Sequence, residues 1–205
     1  MSIPLKNYHI NAPIGATVTE TILLESGNMD RVIRVHADQA ATVQLICTGT
    51  ELAGSLSLEI TAQSGALVLV GVLARVSGTD CLKIQSTQLH TKAHGTSRLW
   101  VRKIVADEAL ATYHGTVHIA KEAVGTVVSQ DDKTLLDGLR VRAESTPVLE
   151  VLTHEVICNH GSALGRIDQQ MVWYIQTRGF DLHQARELCY SAFFDEVWTA
   201  VLQEG

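Results

Sequence analysis

A thiol and an imidazole stand two residues apart in this chain, at Cys158 and His160. On a strand, a step of two residues keeps both side chains on the same face of the sheet. Thiolate sulfur and imidazole nitrogen are ligands that suit iron, zinc or an iron–sulfur cluster. The pair therefore indicates a soft-metal or cluster site, and the alternatives from the residues alone are a buried structural histidine and a packed core thiol. Cys158 would be a second ligand or an acceptor of sulfur.

Two kinds of element must position this pair. A strand-like run from Val148 to Ile157 precedes it, and a helical pattern follows it. Gly161 and Gly165 lie between the two, and we expect them to give the backbone the freedom to turn from strand to helix.

The helical pattern predicts two helices. Asp168 is placed to cap a first helix over residues 170–178, which Gly179 would end. Asp181 is placed to cap a second helix, with Gln184 in the capping-box position. Apolar residues then recur at steps of three and four, which predicts one buried helix face. They are Leu182, Ala185, Leu188, Cys189, Ala192, Phe193, Val197 and Val201. This hairpin is too small to hold a core alone, so it must dock on the rest of the chain or on a partner.

The first three quarters of the chain have the pattern of β-strands. Apolar and polar residues alternate with a period of two, which is typical of strands with one buried face. The clearest cases are residues 55–60, 82–85, 98–102 and 139–142, and clusters rich in Gly, Ser and Asn separate such runs. Four arginines in these runs are predicted to face solvent: Arg31, Arg34, Arg98 and Arg102.

The connections between the strands narrow the choice of fold. No long helical pattern separates them, so alternating strand–helix units are not expected, and a sandwich, a barrel or a coiled β-helix remain. Asp137-Gly138 is the one dipeptide typical of a tight hairpin. The scarcity of such signals favours a β-helix over a meander.

The composition is that of an ordinary globular chain. It has 205 residues, 46% of them hydrophobic and 19% charged, with a net charge of −6. That length allows one substantial core, and the negative charge argues against nucleic acid as the main partner. No apolar run approaches the roughly 20 residues of a membrane span, and the opening residues lack the apolar region of a signal peptide. We therefore expect a cytoplasmic protein that does not bind membranes, with four free thiols.

The segment around Cys158 and His160 has a distinctive order of residues. Residues 156–168 read Val-Ile-Cys-Asn-His-Gly-Ser-Ala-Leu-Gly-Arg-Ile-Asp. This resembles the Val-Lys-Cys-Ser-His-Gly-Ala-Thr-Val-Gly-x-Leu/Ile-Asp motif of the SufB/SufD family of iron–sulfur cluster assembly proteins. Residues 147–151 are similar to the Lys-Pro-x-Leu-Glu-Ile strand of that family, and residues 174–180 are similar to its Phe-Tyr-Leu-x-Ser-Arg-Gly-Ile helix end. With Gln130, Leu135-Leu136 and segments 185–188 and 192–197, the resemblance runs from about Tyr113 to Leu202 and is nearer to the SufD branch.

This resemblance implies a fold and a role. The fold is a right-handed parallel β-helix followed by a C-terminal two-helix element. We divide the chain accordingly into a β-helix core, residues 1–157, and a C-terminal motif with the helical hairpin, residues 158–205. The role is that of a scaffold in a SUF-type system, which is not an enzyme. His160 and Cys158 would hold iron or an iron–sulfur cluster transiently before it passes to an apo-protein.

The resemblance also implies partners. Family members pair with one another through the β-helix, so we expect a dimer with a SufB-like homologue or with a second copy. They bind an ATP-binding-cassette ATPase, SufC, through C-terminal helices, which here puts that contact on Asp168–Leu202. Sulfur would come from a cysteine desulfurase or a related donor. The sequence has no Gly-x-x-x-x-Gly-Lys phosphate loop, so ATP hydrolysis would belong to the partner.

The sequence also departs from the family. Typical members are longer and carry an N-terminal helical region, so this chain resembles a shortened SufD. In SufB-type members acidic residues flank the motif histidine, whereas here Asn159 and Gly161 do. These departures suggest that Cys158 and His160 are half of a site that another subunit completes.

Two other functions stay open from the residues alone. The first is a metal-dependent β-fold enzyme that uses His114 and His118 with an acid such as Glu122. His90 and His94 have the same four-residue spacing. The second is a metal-free subunit that only stabilises an assembly by pairing. Metal that survives His160→Ala but not His114→Ala would favour the enzyme.

Overall fold

The chain coils into a solenoid of parallel strands. The computed structural model describes residues 6–203. Within them, consecutive strands alternate between two six-stranded parallel sheets, sheet A with the odd-numbered strands and sheet B with the even-numbered ones. Each consecutive pair of strands is one coil. The strands are β1 Lys6–Ala12, β2 Thr17–Leu23, β3 Gly27–Ala37, β4 Thr42–Gly49, β5 Leu52–Ala62, β6 Leu67–Val76, β7 Cys81–His90, β8 Thr96–Ala106, β9 Leu110–Ile119, β10 Val127–Asp137, β11 Arg142–Val151 and β12 Ile157–Arg166.

This architecture confirms the predicted parallel β-helix with two C-terminal helices. Every strand hydrogen-bonds to the strand two places away in sequence, an order that a meander or an alternating strand–helix fold would not produce. None of the helices in residues 6–203 has the length and apolar character needed to cross a membrane.

Alternation within the strands builds the core. Leu56, Leu58 and Ile60 of β5 point inward and are buried, as their spacing predicts. The parallel register stacks like residues on one another, so that Leu56 lies beside Ile84 on β7. Removing these aliphatic side chains from water supplies the main driving force for the early coils.

The turns that lead from sheet A to sheet B repeat one backbone conformation. Each of the first five has a residue with positive φ, and the amide of that residue often bonds to the next coil, as from His94 N to Val124 O at 2.9 Å. Glycine adopts this conformation without strain, and three of the five residues are glycines. The five are Gly15, Ala40, Gly65, His94 and Gly125.

Two helices follow the last strand, α1 Gln169–Thr177 and α2 Leu182–Gln203. Asp168 caps α1 as predicted, accepting a bond from the Gln170 amide at 2.8 Å. Asp181 and Gln184 form the predicted capping box, with bonds of 3.0 and 2.8 Å. Both helix starts were therefore predictable from local sequence.

The second helix lies on the outer face of sheet B. Val197 and Val201 pack on Ile46, Leu69 and Leu73. Gly71 permits this approach, since a Cβ there would lie 2.6 Å from Val197 Cγ1. The apolar stripe is thus only partly buried, and its members Leu182 and Leu188 are exposed.

Several predictions about exposure and strand ends are wrong. Arg102 is 0% exposed, because α2 covers the outward face of β8, and Arg31 is 4% exposed beside Glu25. Residues 139–142 do not form a strand of their own, because residues 138–141 join β10 to β11 and Arg142 is the first residue of β11; Leu139 is 94% exposed in this connection. A period of two identifies an alternating face, but it does not say what covers the opposite face.

The segment after residue 157 is also different from the prediction. Gly161 and Gly165 do not turn the chain toward the helix, because they lie within β12, which continues to Arg166 and pairs with β10. The sheet therefore extends beyond the proposed division at residues 157 and 158. Residues 1–5 and 204–205 of the two proposed units, and most of the segment judged for a signal peptide, lie outside the described residues.

Candidate functional site

The last coil places Cys158 and His160 on one face of β12. In the parallel register Cys158 lies beside Val128, and His160 lies beside Gln130. Val128 and Gln130 are both buried and point into the solenoid. Cys158 and His160 therefore continue the inward row of sheet B, on the same face as the spacing predicts.

This inward row is open to solvent at its end. Within residues 6–203, β12 is the edge strand of sheet B and nothing stacks beyond it. His160 is therefore exposed, and Cys158 is half-buried against the cluster formed by Val117, Ile119 and Val128. The solenoid ends in two soft ligands that face its own axis.

The pair alone does not complete a metal site. Two residues on a strand are roughly 7 Å apart along the chain. Among the described residues no group of three or more His, Cys, Asp or Glu side chains could hold a metal ion. Zinc and iron–sulfur irons usually take four ligands, so at least two would have to come from outside this arrangement.

The thiol of Cys158 is not activated by its surroundings. Burial raises its pKa above the ordinary value. The group is therefore protonated at neutral pH and needs a metal or a positive partner group to become a thiolate. This supports His160, rather than Cys158, as the first ligand.

The interior directly beneath the open end is polar. The Gln130 amide nitrogen donates to the Tyr113 hydroxyl and, at 3.4 Å, to Ser86 Oγ. Ser86 Oγ and Tyr113 OH lie 2.7 Å apart. All three side chains are buried, and Gly115 makes room for them, because a Cβ there would lie 1.6 Å from Gln130 Nε2.

A buried ion pair lies in the same layers. Lys103 Nζ is 2.9 Å from Asp132 Oδ1, and both side chains point into the solenoid. The ammonium also lies 5.0 Å from the centre of the Tyr113 ring. Burial lowers the pKa of Lys103, while the charge of Asp132 and their hydrogen bond oppose that shift. The pair offsets the cost of burying each charge.

A third polar group lies one coil further from the open end. His90 Nε2 is 2.7 Å from Ser97 Oγ, which also accepts from the Gln88 amide at 2.8 Å. Burial lowers the pKa of His90 to about 4, so its ring is neutral at physiological pH. No sequence motif described above predicts this interior group. The signal was present in β7, where Ser86, Gln88 and His90 take inward positions after Leu82 and Ile84.

The other histidines are not arranged as metal pairs. His114 and His118 point outward from β9, roughly 13 Å apart on an extended strand. His118 Nδ1 is instead 2.9 Å from Glu150. His90 is inside the core and His94 is in a turn, so they share no face. These positions give no support to an enzyme centre built on either pair.

A separate cleft lies at the ends of the sheet B strands, away from Cys158 and His160. It has a volume of about 390 Å³ and lies between α2 and the turns at the edge of sheet B. Arg75 is 2.7 Å from Glu187, and Arg186 is 3.3 Å from Asp137, whose carboxylate also accepts from Tyr190. These charged side chains form ion pairs across the cleft, and the ion pairs hold α2 against sheet B.

Two exposed apolar surfaces accompany the open end. The first, the end surface, lies on β11 and β12 and consists of Val148, Leu149, Val151, Ile157 and Leu164, which are 38–60% exposed. The second, the α1 surface, consists of Met171, Trp173 and Tyr174, which are 50–67% exposed. Exposed apolar groups of this kind mark interaction surfaces.

The chain is similar to known proteins over most of its length. The family described as "SUF system FeS cluster assembly, SufBD core domain" matches residues 9–193. The iron–sulfur cluster assembly protein SufD of Escherichia coli is 27% identical over 157 residues, which are 77% of this chain and 37% of that protein. The chloroplastic protein ABCI7 of Arabidopsis thaliana is 32% identical over 123 residues, 57% of this chain and 26% of that protein. A SufBD family protein of Mycobacterium leprae is 37% identical over 91 residues, 44% of this chain and 23% of that protein. The chain thus covers no more than 37% of the length of any of these three relatives.

Proposed function

Because the chain belongs to the SufBD core family of the SUF iron–sulfur cluster assembly system, we propose that it is a scaffold subunit on which a cluster is assembled, and not an enzyme. The observation that carries this proposal is the placement of Cys158 and His160 on the inward row of the last, uncovered coil. Iron or an iron–sulfur cluster would be held there transiently as cargo, with His160 as an iron ligand and Cys158 as a second ligand or sulfur acceptor.

The site is completed by a second subunit in this proposal. The support is that, among the described residues, no group of three or more acidic, thiol or imidazole side chains could hold a metal ion. A SufB-like homologue or a second copy would dock on the end surface, where β11 and β12 offer unpaired strand edges. Cluster ligands would then come from both subunits.

The energy source and the sulfur source are other proteins. A SufC-like ATPase would bind the helices over Asp168–Leu202, where the α1 surface exposes Trp173. A cysteine desulfurase or a related donor would supply sulfur. The four cysteines are free thiols, which fits a reducing, cytoplasmic setting.

Anaerobic reconstitution tests the proposal directly. The protein, alone and with a SufB-like homologue, is incubated with ferrous iron and sulfide, desalted, and assayed for iron, sulfide and visible absorption. We expect bound iron, a brown colour, and loss of most of the iron in His160→Ala. A double variant, Cys158→Ala with His160→Ala, should bind no more iron than the buffer background.

The matched control is Cys81→Ala with His114→Ala, which removes an exposed thiol and an exposed imidazole from the outward face of sheet A, away from the inward row. It should load like the wild type. Full retention of iron in the Cys158/His160 double variant would refute the site. A wild-type protein that pairs with the homologue and stays metal-free would identify the chain as a structural pairing subunit instead.

A further inference from the structure

One buried acceptor beneath the open end has no partner. Gln130 is 2% exposed, and its Oε1 atom makes no hydrogen bond within the described part of the chain. An amide oxygen buried without a partner costs about 1–3 kcal/mol. Such an atom therefore marks a place where a donor is expected.

The rest of the Gln130 amide is held in position. Its nitrogen donates to Tyr113 on the facing strand and to Ser86 in the preceding coil. Both donor contacts are made within the coil of Gln130 or to the coil below it. The amide therefore makes no hydrogen bond to the coil above, and its oxygen has no partner. The tight fit against Gly115 prevents the amide from moving away.

The neighbour in the coil above is His160. The parallel register pairs Gln130 with His160, and paired residues of adjacent strands lie about 4.8 Å apart. The imidazole of His160 is exposed and has no hydrogen-bond partner among residues 6–203. A ring N–H of His160 directed at Gln130 Oε1 would give this buried oxygen the donor that it lacks.

We propose that Gln130 is a positioning residue for His160, whose imidazole donates one ring N–H to Gln130 Oε1 and so presents its other nitrogen to iron. Metal-binding histidines commonly donate their second nitrogen to an oxygen acceptor, which fixes the tautomer and the ring orientation. Gln130 supplies that acceptor from inside the solenoid, one coil below the ligand. This inference rests on the proposed function for its consequence in iron binding, but the hydrogen bond itself can be measured without iron.

The test uses the metal-free protein with ¹⁵N-labelled histidine. Nitrogen shifts of the His160 ring, assigned through the His160→Ala spectrum, report which nitrogen carries the proton. We expect one dominant tautomer in the wild type and a mixture of both in Gln130→Met, which keeps the side-chain length and removes the acceptor. Gln130→Glu retains an acceptor oxygen and should keep the single tautomer.

The matched control is Gln88→Met. Gln88 is another fully buried interior amide, bonded to Ser97 in an earlier coil and out of reach of His160. It should leave the tautomer of His160 unchanged. Identical ring shifts in wild type and Gln130→Met would overturn the inference, as would an equal effect of Gln88→Met. If Gln130→Met does not fold, loss of the single tautomer in Gln130→Glu would overturn it.

The second readout is ferrous iron binding under the reconstitution conditions. We expect a roughly tenfold to hundredfold loss of affinity in Gln130→Met, the usual effect of removing an outer partner of a ligating histidine. The two hypotheses fail separately. Iron retained in His160→Ala would refute the site and leave the tautomer result standing, whereas an unchanged tautomer would refute the role of Gln130 alone.

Discussion

Single residues inside the last coils are polar where those of the first coils are aliphatic. Gln130 and Asp132 of β10 occupy inward positions, whereas Val70 and Val72 fill the equivalent positions of β6. Polar atoms in such a core are tolerated because most of them bond to one another. The residues that surround the candidate site are therefore also those on which the stability of this end depends.

The buried His90 gives the protein a defined response to acid. Its pKa is about 4 when folded, against the ordinary value of 6.5, so between these pH values only the unfolded chain binds the proton. Its contribution to the free energy of unfolding is complete above pH 6.5 and is lost as the pH falls toward 4. Because of this group, we expect the free energy of unfolding to fall by about 2 kcal/mol between pH 7 and pH 5. Urea denaturation of wild type and His90→Gln should show that the variant lacks this part of the pH dependence.

The exposed His114 provides the control for this experiment. His114→Gln should follow the wild-type curve at both pH values. Equal pH dependence in wild type and His90→Gln would show that the buried ring is not the cause.

A pair of glycines distinguishes tight from open packing. At Gly115 an added Cβ would lie 1.6 Å from Gln130 Nε2, whereas at Gly165 nothing lies within 4 Å. Gly115→Ala should lower the free energy of unfolding by about 1–3 kcal/mol, because the buried amide must shift. Gly165→Ala should change it by less than about 0.5 kcal/mol. Urea titration at neutral pH measures both, and equal values for the two variants would contradict the packing described around Gln130.

At the scale of elements, each helix has one buried and one exposed apolar side. Val172 of α1 packs on Ile104, Ile167 and the start of α2, so the first helix is fixed to sheet B. Trp173, the next residue, is 67% exposed. A large apolar side chain held outward on a fixed helix is suited to docking another protein.

The proposed ATPase contact is testable at this helix. Trp173→Glu should weaken binding of a SufC-like ATPase by more than tenfold, since a buried interface tryptophan typically contributes at least about 2 kcal/mol. Co-purification and calorimetric titration with the ATPase measure the effect. His114→Glu adds the same charge on sheet A and should bind normally. Unchanged binding by Trp173→Glu would place the contact elsewhere.

In the whole molecule, the two outer faces of the solenoid differ, and the last coil carries the candidate site. The outer face of sheet B is covered by α2, which buries Arg102 against Asp131 at 2.7 Å. The outer face of sheet A carries polar pairs such as Arg34 with Glu59 at 2.7 Å. The polar interior and the apolar end surface meet at β11 and β12, the strands through which we propose that subunits pair.

If subunits pair through the end surface, charged substitutions there should lower the mass of the assembly in solution. Val151→Lys combined with Ile157→Lys puts charge on two exposed positions of the last strands. We expect at least tenfold weaker association, because each tenfold corresponds to about 1.4 kcal/mol of lost apolar burial. Light scattering after size exclusion, with and without a SufB-like homologue, measures it. Thr87→Lys with His114→Lys adds equal charge on the outer face of sheet A and should leave the mass unchanged, while an unaltered mass of the first variant would exclude this surface.

Local sequence patterns were enough to predict most of the elements and the shared face of Cys158 and His160. Alternation placed Leu56 and Ile84 inside, the caps at Asp168 and Asp181 fixed both helix starts, and the two-residue step put Cys158 and His160 on one face. These features depend on neighbours within a few positions along the chain, so the order of residues is enough to reveal them.

Which residues lie against each face depends on contacts between distant parts of the chain. The burial of Arg102 depends on α2, which is almost a hundred residues away, and the pairing of His160 with Gln130 depends on the length of one whole coil. Such contacts are set by how the coils stack and where the helices dock, and no local period encodes either. The chemistry of the Cys158–His160 pair was visible in the sequence, but its position at an open end above a buried acceptor required the fold.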